Sequence, residues 1–153
     1  VGASSSGKIG PINRGDQLFK NLSIEAQKKK PVFKIYGYDY PTKDGTCVRD
    51  YIHVSDIAEI HCKVLDKISF LNKSKILNCG YGKGVSVLDS IREFKKYANK
   101  NLRVLKNKKR KGDMIKITAN NSSLKKFILW KPKYQNLALI VKSCIQWERI
   151  TNK

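Results

Sequence analysis

The hydrophobic period of this chain switches repeatedly between 3.6 and 2, and that switching limits the folds open to it. Residues 16–30 place Leu18, Leu22 and Ala26 on one face of a helix, which closes in a lysine run before Pro31. Residues 32–36 (VFKIY) alternate like a strand that Gly37 ends, and residues 39–45 (DYPTKDG) hold Pro and Asp-Gly turn signals. A short stretch, 46–54, leads to a helix beginning near Ser55 or Asp56, with Ile57, Ile60, Val64, Leu65 and Ile68 at helical spacing. Residues 76–79 read as a short buried strand. After a glycine turn, Ser86 and Asp89 form a capping box that opens a helix through Val87, Leu88, Ile91, Phe94 and Ala98. A strand at 102–105, a short helix at 122–129 and a last helix at 137–147, with Ile140, Val141, Cys144 and Ile145 inward, complete the order. Helices and strands alternate, so the class is α/β, with strands too few and too spread to close a sheet alone.

Composition narrows the function classes. Hydrophobic residues make up 41% of the 153, enough for a packed core and too many for disorder. No apolar run approaches the ~20 residues that span a bilayer, and no signal peptide opens the chain, so no membrane partner is expected. The first residue is Val1 and the sole methionine is Met114, which reads as a piece of a longer protein. The net charge of +20 suggests a polyanion partner, but 26 of the 32 basic residues are Lys, which lacks the planar fork of Arg. The excess concentrates in the second half, where residues 100–111 hold seven basic residues and no acid. Such a run is usually a solvated loop face. Cys47, Cys62, Cys79 and Cys144 show no C-x-x-C spacing, which argues against zinc and for reduced, mostly buried thiols in a cytoplasmic protein.

Three motifs suggest chemistry and then fail. Residues 2–8 (GASSSGK) satisfy G-x-x-x-x-G-K, but Ile9 stands where the magnesium-binding hydroxyl belongs, and Gly10 and Pro11 forbid the following helix. Residues 80–84 (GYGKG) lack the G-x-G-x-x-G spacing and the later acidic residue that a dinucleotide loop needs. His61 falls beside an apolar stripe and reads as a packed core histidine, and His53 as a structural hydrogen-bonder more readily than a base. No Ser-His-Asp set or carboxylate pair is evident.

Residues 36–56, YGYDYPTKDGTCVRDYIHVSD, are far more specific. They resemble the UDP-glucose 4-epimerases, a branch of the extended short-chain dehydrogenase/reductase family, which write this region as aromatic-Gly followed by DYPT-x-DGT-x-VRDYIHV-x-D. An opening VGA, the segment NCGYGKGVSV at 78–87, R-x-GD at 110–113 and WKPKY at 130–134 agree in order. The resemblance covers essentially the whole chain and implies the C-terminal, substrate-binding portion of a Rossmann-type fold, residues 1–153 being that portion.

By that resemblance, the full enzyme interconverts UDP-glucose and UDP-galactose through transient NAD-dependent oxidation at C4, and works as a homodimer. Its Tyr/Lys/Ser set and most NAD contacts lie in an N-terminal half. Here no tyrosine has Lys four residues later, so no catalytic, NAD-binding or metal residue is assigned to this chain. The resemblance implies Arg49 and Arg110 for the diphosphate, a pairing suited to bidentate guanidinium contacts. It implies Asp113 for ribose hydroxyls, Tyr36 and the Lys34 main chain for uracil, Gln17 and Leu18 near the phosphates, and Ile117 beside the sugar. Alternative duties for these residues are an Arg49–Asp50 surface pair, a turn-capping Asp113 and a Tyr36 packed at the strand end. A small basic RNA- or DNA-binding module and another UDP-sugar epimerase or decarboxylase of the same superfamily are the competing readings, although no nucleic-acid motif is evident.

Overall fold

The computed structural model describes residues 1–12, 17–69, 71–98 and 101–151. Ten elements follow in order: α1 (Leu18–Gln27), β1 (Val32–Tyr36), β2 (Val48–Arg49), α2 (Val54–Ile68), β3 (Val85–Ser86), α3 (Val87–Ala98), β4 (Arg103–Asn107), β5 (Lys116–Ile117), α4 (Ser122–Phe127) and α5 (Leu137–Thr151). They form two separate small sheets. β1 and β4 pair in parallel, with Val32 opposite Arg103 and Tyr36 opposite Asn107. β2 lies between antiparallel β3 and parallel β5.

The core lies where α1, α3 and α5 meet. Phe19 and Leu22 of α1, Ile91 and Phe94 of α3, and Ile140, Val141 and Ile145 of α5 are all buried. The Phe19 ring packs edge-on to Phe94 at 5.5 Å and tilted against Tyr51 at 4.6 Å. Full burial of each large side chain contributes roughly 1.5–3 kcal/mol. α1 is further locked by Lys20, which is buried against Glu148 of α5 and donates to the Pro11 carbonyl at 2.9 Å. Trp147 Nε1 donates to that same carbonyl at 2.9 Å. The acceptor Ser86 of the expected capping box is present, taking the Asp89 N–H at 2.9 Å, but Asp89 turns outward to Arg92 instead of reaching back.

Several expectations are corrected. α1 begins at Leu18 and ends at Gln27, short of the lysine run; Asp16, the expected start, lies outside the described residues, as does Lys100 of the basic run. Residues 76–79 form no strand, because no neighbouring segment among the described residues supplies a ladder, and Ile76 is 92% exposed. The stripe on α2 is covered only in its first half: Ile60 is buried, whereas Leu65 and Ile68 project beyond the packed helices. His61 therefore sits exposed, its Nδ1 2.8 Å from the Ile57 carbonyl, and is not a core residue. Of the cysteines, Cys47 and Cys144 are buried, Cys79 is partly so and Cys62 is exposed; all four are free thiols. Among the described residues no helix is long and apolar enough to cross a membrane.

Candidate functional site

The turn at Asp44–Gly45–Thr46 decides where Arg49 goes. Asp44 accepts the Thr46 amide at 3.0 Å and its hydroxyl at 2.7 Å through one oxygen, and the Ser86 hydroxyl at 2.5 Å through the other. Burial works against its charged form, yet the Ser86 and Thr46 bonds outweigh that and hold the carboxyl below the usual carboxylate range. Gly45 is required here: its φ is +79°, and a Cβ would lie 2.2 Å from the Tyr38 carbonyl oxygen. Thr46 Oγ1 accepts the Leu88 amide at 3.2 Å. The turn is thereby fastened to the start of α3, and the chain leaving it runs straight into β2.

The carboxylates that follow Arg49 are structural. Asp50 accepts the amides of Tyr81 (3.1 Å), Gly82 (2.8 Å) and Ala119 (3.2 Å). The glycine-rich loop at 80–84 thus spends two amides on a protein carboxylate, and Gly80 has no room for a Cβ, which would meet Asp50 and Ala119. This is a tight turn. Asp56 is fully buried and accepts the Tyr81 hydroxyl at 2.5 Å and the amides of Lys133 and Tyr134 at 3.0 Å each. His53 caps α2 by accepting the Ser55 amide at 3.1 Å, meets the Ser143 hydroxyl at 3.2 Å and stacks on Tyr134 at 4.4 Å. Burial depresses its pKa, so it is a neutral structural residue.

What remains of the motif opens onto a cleft of about 590 Å³ between α1, β1, β2 and the turn after β4. Leu18, Lys34, Tyr36, Arg49, Arg110 and Asp113 all line it. Arg49 donates to the Val48 carbonyl at 2.9 Å and forms no ion pair among the described residues, Asp50 being occupied as above. Arg110 faces Asp113 as a fork, Nε to Oδ2 at 3.0 Å and Nη2 to Oδ1 at 3.3 Å, with its guanidinium 5.1 Å from the Tyr36 ring centre. Tyr36 is 42% exposed and is not a core aromatic. Asp113 engages Arg110 with its side chain, so it does more than shape the turn.

Two expected residues lie outside this cleft. Gln17 is exposed at the N-cap of α1 and makes no side-chain cap bond. Ile117 stands opposite Arg49 across the β2–β5 pair and borders an adjoining pocket with Arg49, Asp50 and Asn78. Tyr51 also lines the cleft, its hydroxyl pushed up to about 12 by burial. It sits inside the motif, two residues after Arg49, and that was the available signal. Cys47 lies inside the motif too, whereas Asn21 and Glu25, which also line the cleft, lie outside it and carried no such signal. The cleft offers two guanidinium groups, the exposed Tyr36 ring and the carboxylates of Asp113 and Glu25; among the described residues no group of His, Cys, Asp and Glu could hold a metal ion. Such a set suits an anionic, planar ligand.

The sequence profile of the epimerase family described as NAD dependent epimerase/dehydratase matches residues 8–80. The UDP-glucose 4-epimerase of Rhizobium meliloti (strain 1021) is 35% identical over 154 aligned positions, taking in all of this chain and 47% of that protein. Among solved structures, the UDP-glucose 4-epimerase from Stenotrophomonas maltophila, with bound NAD and formylated UDP-arabinopyranose, superposes with a TM-score of 0.91 at 32% identity. It is matched over 99% of this chain and 46% of its own. The Bifidobacterium longum enzyme, in complex with NAD+ and UDP, gives a TM-score of 0.86 at 32% identity over 99% of this chain and 45% of its own. The chain spans about half the length of the curated relatives it matches. Its α/β fold is that of the corresponding portion of these Rossmann-type epimerases.

Proposed function

We propose that this chain, similar over its whole length to the UDP-glucose 4-epimerases, is the part of an NAD-dependent UDP-hexose 4-epimerase that grips the UDP-sugar. One observation supports this most directly: Arg49 and Arg110, 61 positions apart in sequence, line a single cleft with Tyr36 and Asp113. Arg49 and Arg110 hold the diphosphate, the Tyr36 ring and the Lys34 main chain take the uracil, and Asp113 accepts from the ribose hydroxyls. The Arg110–Asp113 fork keeps both groups at the cleft wall, and the ligand shares or replaces that contact. Leu18 borders the phosphates with Gln17 at the mouth, and Ile117 stands on the sugar side of Arg49.

The glycine loop of this chain does not fit NAD. The amides of the glycine loop at 81 and 82 are taken by Asp50, and no tyrosine carries Lys four positions later. The dinucleotide and the Tyr/Lys pair belong, on this reading, to the remainder of the full-length protein, a cytoplasmic homodimeric isomerase acting between UDP-glucose and UDP-galactose. The basic run also supports a sugar-nucleotide reading over a nucleic-acid one, since Lys106, Lys109 and Arg110 are each engaged locally with a tyrosine. Calorimetric titration of the full-length protein with UDP tests the proposal. Saturable one-site binding that single-stranded RNA does not displace is expected; RNA binding without UDP binding overturns it.

A further inference from the structure

We propose that Lys109 is a positioning residue for Arg110, so that part of the lysine-rich run serves the cleft and not only the solvent; this rests on the UDP-binding reading above. The parallel pairing of β1 and β4 continues one step past Tyr36 and Asn107, where the Gly37 amide donates to the Asn107 carbonyl at 3.0 Å. Beyond that point residues 36–40 and 106–110 stay together, joined by three cation–ring contacts. Lys106 lies 5.0 Å from the Tyr38 ring, Lys109 4.7 Å from Tyr40 and Arg110 5.1 Å from Tyr36.

Lys109 differs from Lys106 in having further partners. Its ammonium is 3.1 Å from Asp39 Oδ2 and donates to the Asp39 carbonyl at 3.3 Å. Its stem lies over Gly37, where even a Cβ would come within 3.0 Å of Lys109 Cγ. The far side of this contact is rigid. Tyr40 is 8% exposed and donates its amide to Gly45 at 3.0 Å, inside the turn that Asp44 fastens to α3. Lys109 therefore ties the segment 108–113 to the turn that Asp44 fastens to α3. Arg110, the next residue, points the other way, toward Tyr36 and the cleft. Within its turn Arg110 is held by the Asp113 fork and by the Asp113 amide on its carbonyl at 3.3 Å, contacts internal to residues 110–113, and a Cβ on Gly112, whose φ is +85°, would meet nothing within 4 Å. Lys108, beside it, is exposed and forms no ion pair among the described residues.

Releasing this anchor lets Arg110 sample positions that miss the ligand, and the binding constant falls without loss of the fold. UDP titrated against the full-length protein tests this with five single variants and one double. Lys109→Ala is expected to weaken UDP binding about three- to tenfold, the combined worth of an exposed ion pair and one cation–ring contact. Lys109→Arg, which keeps the charge and the ring contact, restores affinity to within about twofold, and Lys108→Ala leaves it unchanged. Asp39→Asn, which removes the ion-pair partner and leaves the lysine over Tyr40, gives the smaller, ion-pair share of that loss, about two- to fivefold, and stands in for Lys109→Ala should that variant fail to fold. In an Arg110→Ala background, Lys109→Ala has no further effect. Wild-type affinity for both Lys109→Ala and Asp39→Asn, or an undiminished loss in the Arg110→Ala background, overturns the positioning role alone. Wild-type affinity for Arg110→Ala overturns the UDP-site reading, and the positioning role with it.

Discussion

The buried Asp56 carboxylate is the sharpest place to separate scaffold from site. It accepts three hydrogen bonds, from the Tyr81 hydroxyl and the Lys133 and Tyr134 amides, and it does not line the cleft. Asp56→Ala leaves three donors without an acceptor, each worth about 1–3 kcal/mol when buried. The three share one acceptor and do not add in full, so the expected loss is about 3–5 kcal/mol, in the range for breaking a buried charged network. With a urea slope of roughly 1–3 kcal/mol/M, the unfolding midpoint of the full-length protein should fall by roughly 1–3 M. Tyr81→Phe removes one donor and orphans the His53 amide, which Tyr81 Oη accepts at 3.2 Å, and should cost about 1–2 kcal/mol. At 25 °C and low urea, where each variant remains folded, UDP affinity should match wild type. A midpoint shift for Asp56→Ala no larger than that for Tyr81→Phe would refute the three-bond clamp. A tenfold loss of UDP affinity at unchanged stability would place Asp56 in the site.

Other outcomes follow from the same contacts. Gly45→Ala should destabilise by about 2–4 kcal/mol, the left-handed backbone and the clash with the Tyr38 carbonyl together, read as a lowered urea midpoint; a change under about 0.5 kcal/mol contradicts the turn geometry. Acidification tests His53: burial sets its folded pKa below the ordinary 6.5, so the unfolded chain takes up the proton first. Stability is then full above pH 6.5 and declines as pH falls from there toward the lower folded value; a urea midpoint that rises between pH 7 and 5.5 goes against it. The 153-residue chain by itself, given NAD and UDP-galactose, should form no UDP-glucose, since it has no Tyr/Lys pair; robust turnover removes the division of labour proposed for the two parts.

Local pattern carried the helices well because their cores lie within this chain. Leu22, Phe94, Ile140 and Val141 fall on apolar faces that pack on one another, so period and burial coincide. The far end of α2 and residues 76–79 misled for the opposite reason: their apolar residues have no packed neighbour among the described residues, and an apolar run becomes a strand only where a ladder partner exists. The roles of Asp50 and Asp56 were not legible at all. Their partners sit 25 to 78 residues away, and nothing in the spacing of the motif distinguishes a carboxylate that holds a loop from one that holds a ligand. Arg49, Arg110, Tyr36 and Asp113 were named through family resemblance, and the parallel register of β1 with β4 explains how Tyr36 and the distant segment 110–113 come to share a cleft. Lys109, expected to be one solvated charge among seven, is exposed and is also paired with Asp39 and set over Tyr40.

The most direct test of a UDP-sugar site built on two arginines is a UDP isotherm for the full-length protein carrying Arg49→Ala, Arg110→Ala or Lys108→Ala. Each arginine contributes charge-assisted bonds of about 1.5–3 kcal/mol, so each removal should weaken UDP binding roughly 10- to 150-fold. Lys108→Ala should change it less than about threefold, as an exposed charge does. Comparable affinities for all three variants would contradict the account, because the cleft would then be one more patch of a basic surface.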